Sequence, residues 1–107
     1  MARIFGRTML GMCLLLEGRT EEAEVALDRA LMLHPDHHMA LKWKALVLAR
    51  NGQEETALAI VCRLRQVEPG MTIEHHVRQM LFSPHLASRS VDEISTLRRL
   101  WAAQPHV

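Results

Sequence analysis

The sequence predicts an all-α chain, and three observations carry that prediction. Leu, Ala, Arg, Glu and Met are plentiful while Tyr is absent, so helix formers dominate and strand formers are scarce. Apolar residues recur at three- and four-residue spacing, as in Ala23, Leu27, Ala30 and Leu31. The pattern then repeats. Gly18 and Gly52, Ala23 and Ala57, Leu27 and Val61, Ala30 and Leu64, and Pro35 and Pro69 each stand 34 positions apart. Gly11 and Ala45, and Leu14 and Leu48, keep the same offset. A period of this length, with a glycine turn inside and a proline at its end, describes a helix–turn–helix unit present twice.

The first helix is expected over residues 3–16, with Ile4, Leu10, Leu14 and the small Gly11 towards its partner. Gly18 should end it, because glycine readily takes the left-handed conformation of a helix C-terminus. Thr20, Glu21 and Glu22 favour the next start, since capping oxygens and negative charge suit a helix N-terminus. That second helix, about 20–33, stops at His34-Pro35, because the residue before proline is pushed out of helical geometry. Asp36 is the expected N-cap of a third helix, about 37–50, with Leu41, Ala45 and Leu48 on its inner face. Asn51-Gly52 turns the chain, and residues 53–67 repeat the second helix with Ala57, Ile60, Val61 and Leu64.

After Pro69 the period fails. Residues 72–82 still predict a helix, with Thr72 as cap and Ile73, Val77, Met80 and Leu81 on one side. Ser83-Pro84 interrupts it. Ser90-Val91-Asp92-Glu93 has the pattern of a capping box and opens a last helix that runs to about Ala103. Its expected apolar stripe is Val91, Ile94, Leu97, Leu100 and Trp101. The chain is thus expected to be one domain: repeat one over 4–36, repeat two over 37–70, a degenerate capping hairpin over 71–103 and a tail of 104–107. A helical hairpin cannot bury its own apolar face, and about three units are needed for a stable stack. Leu97, Leu100 and Trp101 are expected to cover the open end of repeat two. The amino-terminal end has no comparable cap, which a longer array or a homodimer would supply.

Composition narrows the function. Thirteen Lys and Arg against twelve Asp and Glu leave a net charge of +1, which argues against nucleic acid as a partner. Arg3 and Arg7 before the apolar run 9–16 imitate a signal peptide, but no small-x-small cleavage site follows. No stretch approaches the ~18 apolar residues of a membrane span. A cytoplasmic protein without membrane contact is expected, with Cys13 and Cys62 as buried free thiols in a reducing compartment. The seven histidines do not form a metal motif: His37-His38 and His75-His76 are adjacent pairs whose side chains diverge by about 100° on a helix. Both doublets fall in a first helical turn and are expected to be solvated. Without a nucleophile motif or a phosphate loop, the chain is expected to be no enzyme and to hold no cofactor or metal.

The recurring Gly/Ala11-45, Leu14-48, Ala23-57, Leu27-Val61, Ala30-Leu64 and Pro35-69 positions, with the turn glycines, resemble the tetratricopeptide repeat (TPR) family over residues 4–69. Arg7 and Lys44 depart from its pattern, standing where bulky apolar residues are usual. The resemblance implies antiparallel helix pairs stacked into a right-handed superhelix with a concave groove for peptides or partner helices. Its groove positions correspond to Phe5, Thr8, Met9 and Met12, then Met39, Lys42, Trp43 and Leu46, then Ile73, His76, Val77 and Met80. Some members hold C-terminal carboxylates with a clamp of Lys, Arg and Asn. Here Thr8, Met12, Trp43, Ile73 and Val77 occupy the matching positions, so that clamp is absent.

The implied function is a non-catalytic protein-interaction module that binds an apolar peptide or amphipathic helix of a partner. The site residues it implies are Thr8, Met9, Met12, Lys42, Trp43, Leu46, His76 and Met80. The chain's own terminal helix, or a second subunit, could fill the same groove. The tail carries a further likeness. Glu68-Pro69-Gly70-Met71-Thr72-Ile73, a helix and an aromatic-Ser-Pro break look like the end of bacterial proteins that join a TPR array to a cyclase or winged-helix effector. The alternative function is therefore a C-terminal regulatory or oligomerisation segment of a larger bacterial enzyme or transcriptional regulator.

Overall fold

The computed structural model describes residues 2–80 and 90–103, with side chains from residue 6 onward. Among these all regular structure is α-helical: α1 (Ala2–Leu16), α2 (Thr20–Leu33), α3 (His38–Arg50), α4 (Glu54–Val67), α5 (Ile73–Met80) and α6 (Val91–Ala102). The break expected at Ser83-Pro84, the end of the fifth predicted helix and the tail lie outside the described residues.

The 34-residue period reappears in the backbone hydrogen bonds. After α1, Gly18 N donates to the Leu15 carbonyl and Arg19 N to that of Leu14, both at 2.9 Å. After α3, Gly52 N donates to Ala49 at 3.1 Å and Gln53 N to Leu48 at 2.9 Å. Each pair of bonds is a Schellman motif, and each depends on a glycine at positive φ, +83° at Gly18 and +79° at Gly52. The helix ends agree too: His34 N bonds Ala30 and Glu68 N bonds Leu64, both at 3.0 Å. The register holds as far as Met71 N to Glu68, the counterpart of His37 N to His34. It then slips, because α5 begins at Ile73, one residue later than α3 would place it. Thr72 causes that start: its hydroxyl accepts the His75 amide at 3.2 Å.

The other expected caps are not formed. Arg19, not Thr20, is the N-cap of α2, and it makes no side-chain cap bond. Instead it grips Glu22 with Nε at 3.0 Å and with Nη2. The N-cap of α3 is His37, likewise without a side-chain bond, and Asp36 pairs with Arg63 at 2.5 Å. Ser90 caps α6 by position only. Its capping-box partner Glu93 is drawn away by Arg50, since a buried ion pair outcompetes a terminal amide.

Packing follows the repeat. α1 pairs with α2 and α3 with α4, and α3 then lies against α1 and α2. Gly11 is buried because Leu27 of α2 fills the space over it: an added Cβ would stand 2.5 Å from Leu27 Cγ. The departure at Lys44 has a local cause. Its ammonium reaches Glu24 at 3.3 Å and also Asp28, both on α2. Ion pairs thus join α3 to α2 at this position. Cys13 and Cys62 are free and exposed, which corrects the expectation of buried thiols. Each follows a buried residue, Met12 or Val61, and so points about 100° away from the core face.

Candidate functional site

The expected groove residues converge, but almost all of them are covered. Thr8, Met12, Leu46 and Met80 are 2 % exposed, Trp43 1 %, and Lys42 and His76 0 %; Met9 alone is half-buried. α6, which packs on α3, α4 and α5, supplies part of that cover, and α5 lies over Lys42. Leu97 shares one cluster with Met12, Trp43, Leu46 and Met80, and Met9, Ile73 and Ile94 pack at its edge. Leu100 joins Ala45, Leu48, Ala57 and Val61, with Trp101 beside them. Burying Leu97 and Leu100 contributes roughly 1.5–3 kcal/mol each.

Polar contacts fix α6 in register. Arg50, at the end of α3, donates to the Leu15 carbonyl at 2.9 Å and to the buried Glu93 carboxylate. Arg99 pairs with Glu54 at the start of α4, and Arg98 holds Glu74 of α5 at 2.5 Å. Hydrogen bonding to Arg98 keeps the Glu74 carboxyl below its ordinary range. Arg65 of α4 lies 4.6 Å above the Trp101 ring and donates to the Trp101 carbonyl at 3.3 Å, a cation–π contact. A cleft of about 150 Å³ remains between Leu46, Ala49 and Arg50 on α3 and Asp92, Glu93, Thr96 and Arg99 on α6.

Val91, expected on the apolar stripe of this helix, is exposed, while Glu93 is buried. Residues 93, 97 and 100 form a stripe at four- and three-residue spacing. A carboxylate in phase with two leucines was the available signal for a buried pair, and the capping-box pattern hid it.

Beneath α5 lies a basic cluster. The Lys42 ammonium donates to Gln79 Oε1 at 2.8 Å and to the His76 carbonyl at 3.4 Å, with no carboxylate in reach among the described residues. Burial alone lowers its pKa from 10.5 to about 7. His76 is buried with both ring nitrogens unpartnered among the described residues, so the expectation of solvated doublets fails there. α6 is the reason, since Trp101 lies over the imidazole with ring centroids 5.3 Å apart. Burial, then Lys42, His38 and His75, brings the His76 pKa down to about 4. His38 stands 6.5 Å from His76 between ring centroids, with its Nδ1 3.6 Å from Glu68. Desolvation lowers its pKa, Lys42 adds to the fall and Glu68 opposes it. His37 is lowered by desolvation, then by His38 and His34.

Among the described residues no group of three His, Cys, Asp or Glu could hold a metal ion, and no helix is long and apolar enough to cross a membrane. Compared with protein families, with curated proteins and with solved structures, the chain shows no match.

Proposed function

We propose that the chain is a TPR-like interaction module whose concave face, formed by α1, α3 and α5, receives an amphipathic helix. The observation that carries this reading is α6. It is an amphipathic helix seated on the residues named for the groove, with two leucines inward and Asp92 and Arg98 exposed. Unbranched Met9, Met12 and Met80 can repack around a different apolar stripe, and such a stripe read at three- and four-residue spacing is the usual helix-in-groove mode. In this arrangement α6 occupies the place of a partner. A tethered helix acts at an effective concentration on the order of millimolar, so an outside helix binds when it outcompetes that or when α6 is loosened.

A labelled peptide of residues 90–103 tests the reading. A Leu97→Asp/Leu100→Asp variant that keeps its helicity should bind the peptide in trans, and the unmodified chain should bind it at least tenfold more weakly. A helical variant that ignores the peptide would sink the groove. A second reading, a regulatory or oligomerisation segment of a larger bacterial protein, draws on a different feature: Leu10 and Val25 remain exposed on α1 and α2.

A further inference from the structure

The side of the first hairpin turned away from α3 is covered by no described element. Leu10 is 53 % and Val25 51 % exposed there. With Leu14 and Ala26 they line a depression of about 280 Å³, rimmed by Arg7, Glu22 and Arg29. The repeat tells how such a face is used. The counterpart of Leu10, 34 residues on, is Lys44, and Lys44 lies on α2 bound to Glu24 and Asp28. The second hairpin stacks on the first through this face. The first presents the same face with leucine in place of lysine, so what covers it must be apolar at that point, not acidic.

The surrounding charges name the occupant. Arg7 and Arg29, like Arg78 on α5, make no ion pair or hydrogen bond among the described residues, whereas Arg19, Arg50, Arg63, Arg65, Arg98 and Arg99 do. On α2, Glu22 and Arg29 flank the Val25-Ala26 midpoint, three residues to either side. A second α2, antiparallel across a two-fold axis at that midpoint, sets Glu22 of each copy against Arg29 of the other and Val25 against Ala26. Arg7 lines the same depression as Arg29 and approaches the same carboxylate. The patch is thus complementary to itself, which is the requirement for an isologous dimer.

We propose that this face is a self-association surface, on which two copies of the chain pair through α1 and α2. Leu10 and Val25 lie at its centre, and two Glu22–Arg29 pairs form its rim. The proposal rests on the second, oligomerisation reading and uses none of the groove residues, so it stands apart from the groove reading.

Sedimentation equilibrium of the full chain, at concentrations up to about 0.5 mM to suit an interface of one hairpin's width, decides it. The unmodified chain should dimerise. Glu22→Arg and Arg29→Glu, both exposed, should each weaken the dimer at least tenfold by setting like charges together; Glu22→Arg also breaks the Arg19–Glu22 pair, so circular dichroism first establishes that each variant keeps its helices. An equimolar mixture of the two should recover it as a heterodimer, and the Glu22→Arg/Arg29→Glu double variant should recover it as a homodimer. A chain that stays monomeric throughout overturns the surface. Single variants that dimerise normally, or a mixture that fails to recover, overturn the antiparallel pairing.

Discussion

Lys42 carries an amine into the interior without a counter-ion among the described residues, and that should be visible in the pH dependence of folding. The unfolded chain binds this proton below 10.5, whereas the folded chain binds it only below about 7. Between those limits the unfolded state holds more protons, so stability rises with pH, by up to about 1.4 kcal/mol per unit. Below pH 7 that contribution is flat. Lys42→Met should remove the rise and, since a well-packed apolar group is favoured over a lone buried charge, should stabilise the chain at pH 7 by about 1–3 kcal/mol. Urea unfolding at pH 7, 8 and 9.5 checks both statements, and an unchanged slope in the variant would refute the assignment. Such residues show where reading the sequence reached its limit. The helical phase of Lys42 and His76 placed them on the groove face, next to Trp43 and Met80. It gave no sign that Trp101 would cross over the imidazole, because that depends on where a helix fifteen residues further on comes to rest. Lys44 is the opposite case. It looked like a flaw in the repeat and is a fitted partner of Glu24 and Asp28.

At the scale of the element, helix boundaries were legible because glycine and proline act through their own backbones. Gly18 and Gly52 hold the same motif with nearly the same φ, and open space surrounds a Cβ added at either. Replacing either by Ala should therefore cost only the backbone penalty, about 1 kcal/mol, and the two costs should agree within a few tenths. Thermal unfolding of both variants tests this, and a difference beyond about 1 kcal/mol would mean that the two turns are not equivalent. Caps were less legible, because side-chain oxygens have competitors that a local pattern omits, as Arg50 is for Glu93. That pair yields an asymmetric prediction. Arg50→Ala strands a buried carboxylate and removes a bond to Leu15, at a cost of about 2 kcal/mol or more. Glu93→Ala leaves a guanidinium that can turn to water, so its cost should be about 1 kcal/mol or less. Equal losses would show that Glu93 is not buried in solution.

Across the whole molecule, the question is whether a stack of hairpins unfolds piecewise, as nearest-neighbour arrays can. Here α6 argues against it. Leu97 belongs to one cluster with Met12 and Leu15 of α1, Leu27 of α2, Trp43 of α3 and Met80 of α5, so the last helix is part of the same continuous core as the first hairpin. Leu100 and Trp101 tie that helix to α4. The two tryptophans sit at useful places for a test, Trp43 inside and Trp101 at the α4–α6 contact beside Arg65. Trp43→Phe and Trp101→Phe variants each leave one fluorescent reporter. In urea, each reporter and the far-ultraviolet circular dichroism of the same protein should trace one transition with one midpoint. Leu97→Ala should lower that midpoint for both reporters together, with a loss of unfolding free energy of roughly 2–4 kcal/mol, as for a large-to-small core change. If Trp101 reports an earlier transition than Trp43, α6 leaves before the repeats unfold. The two good hairpins would then form a stable unit without it, and the groove would open at a lower cost than global unfolding.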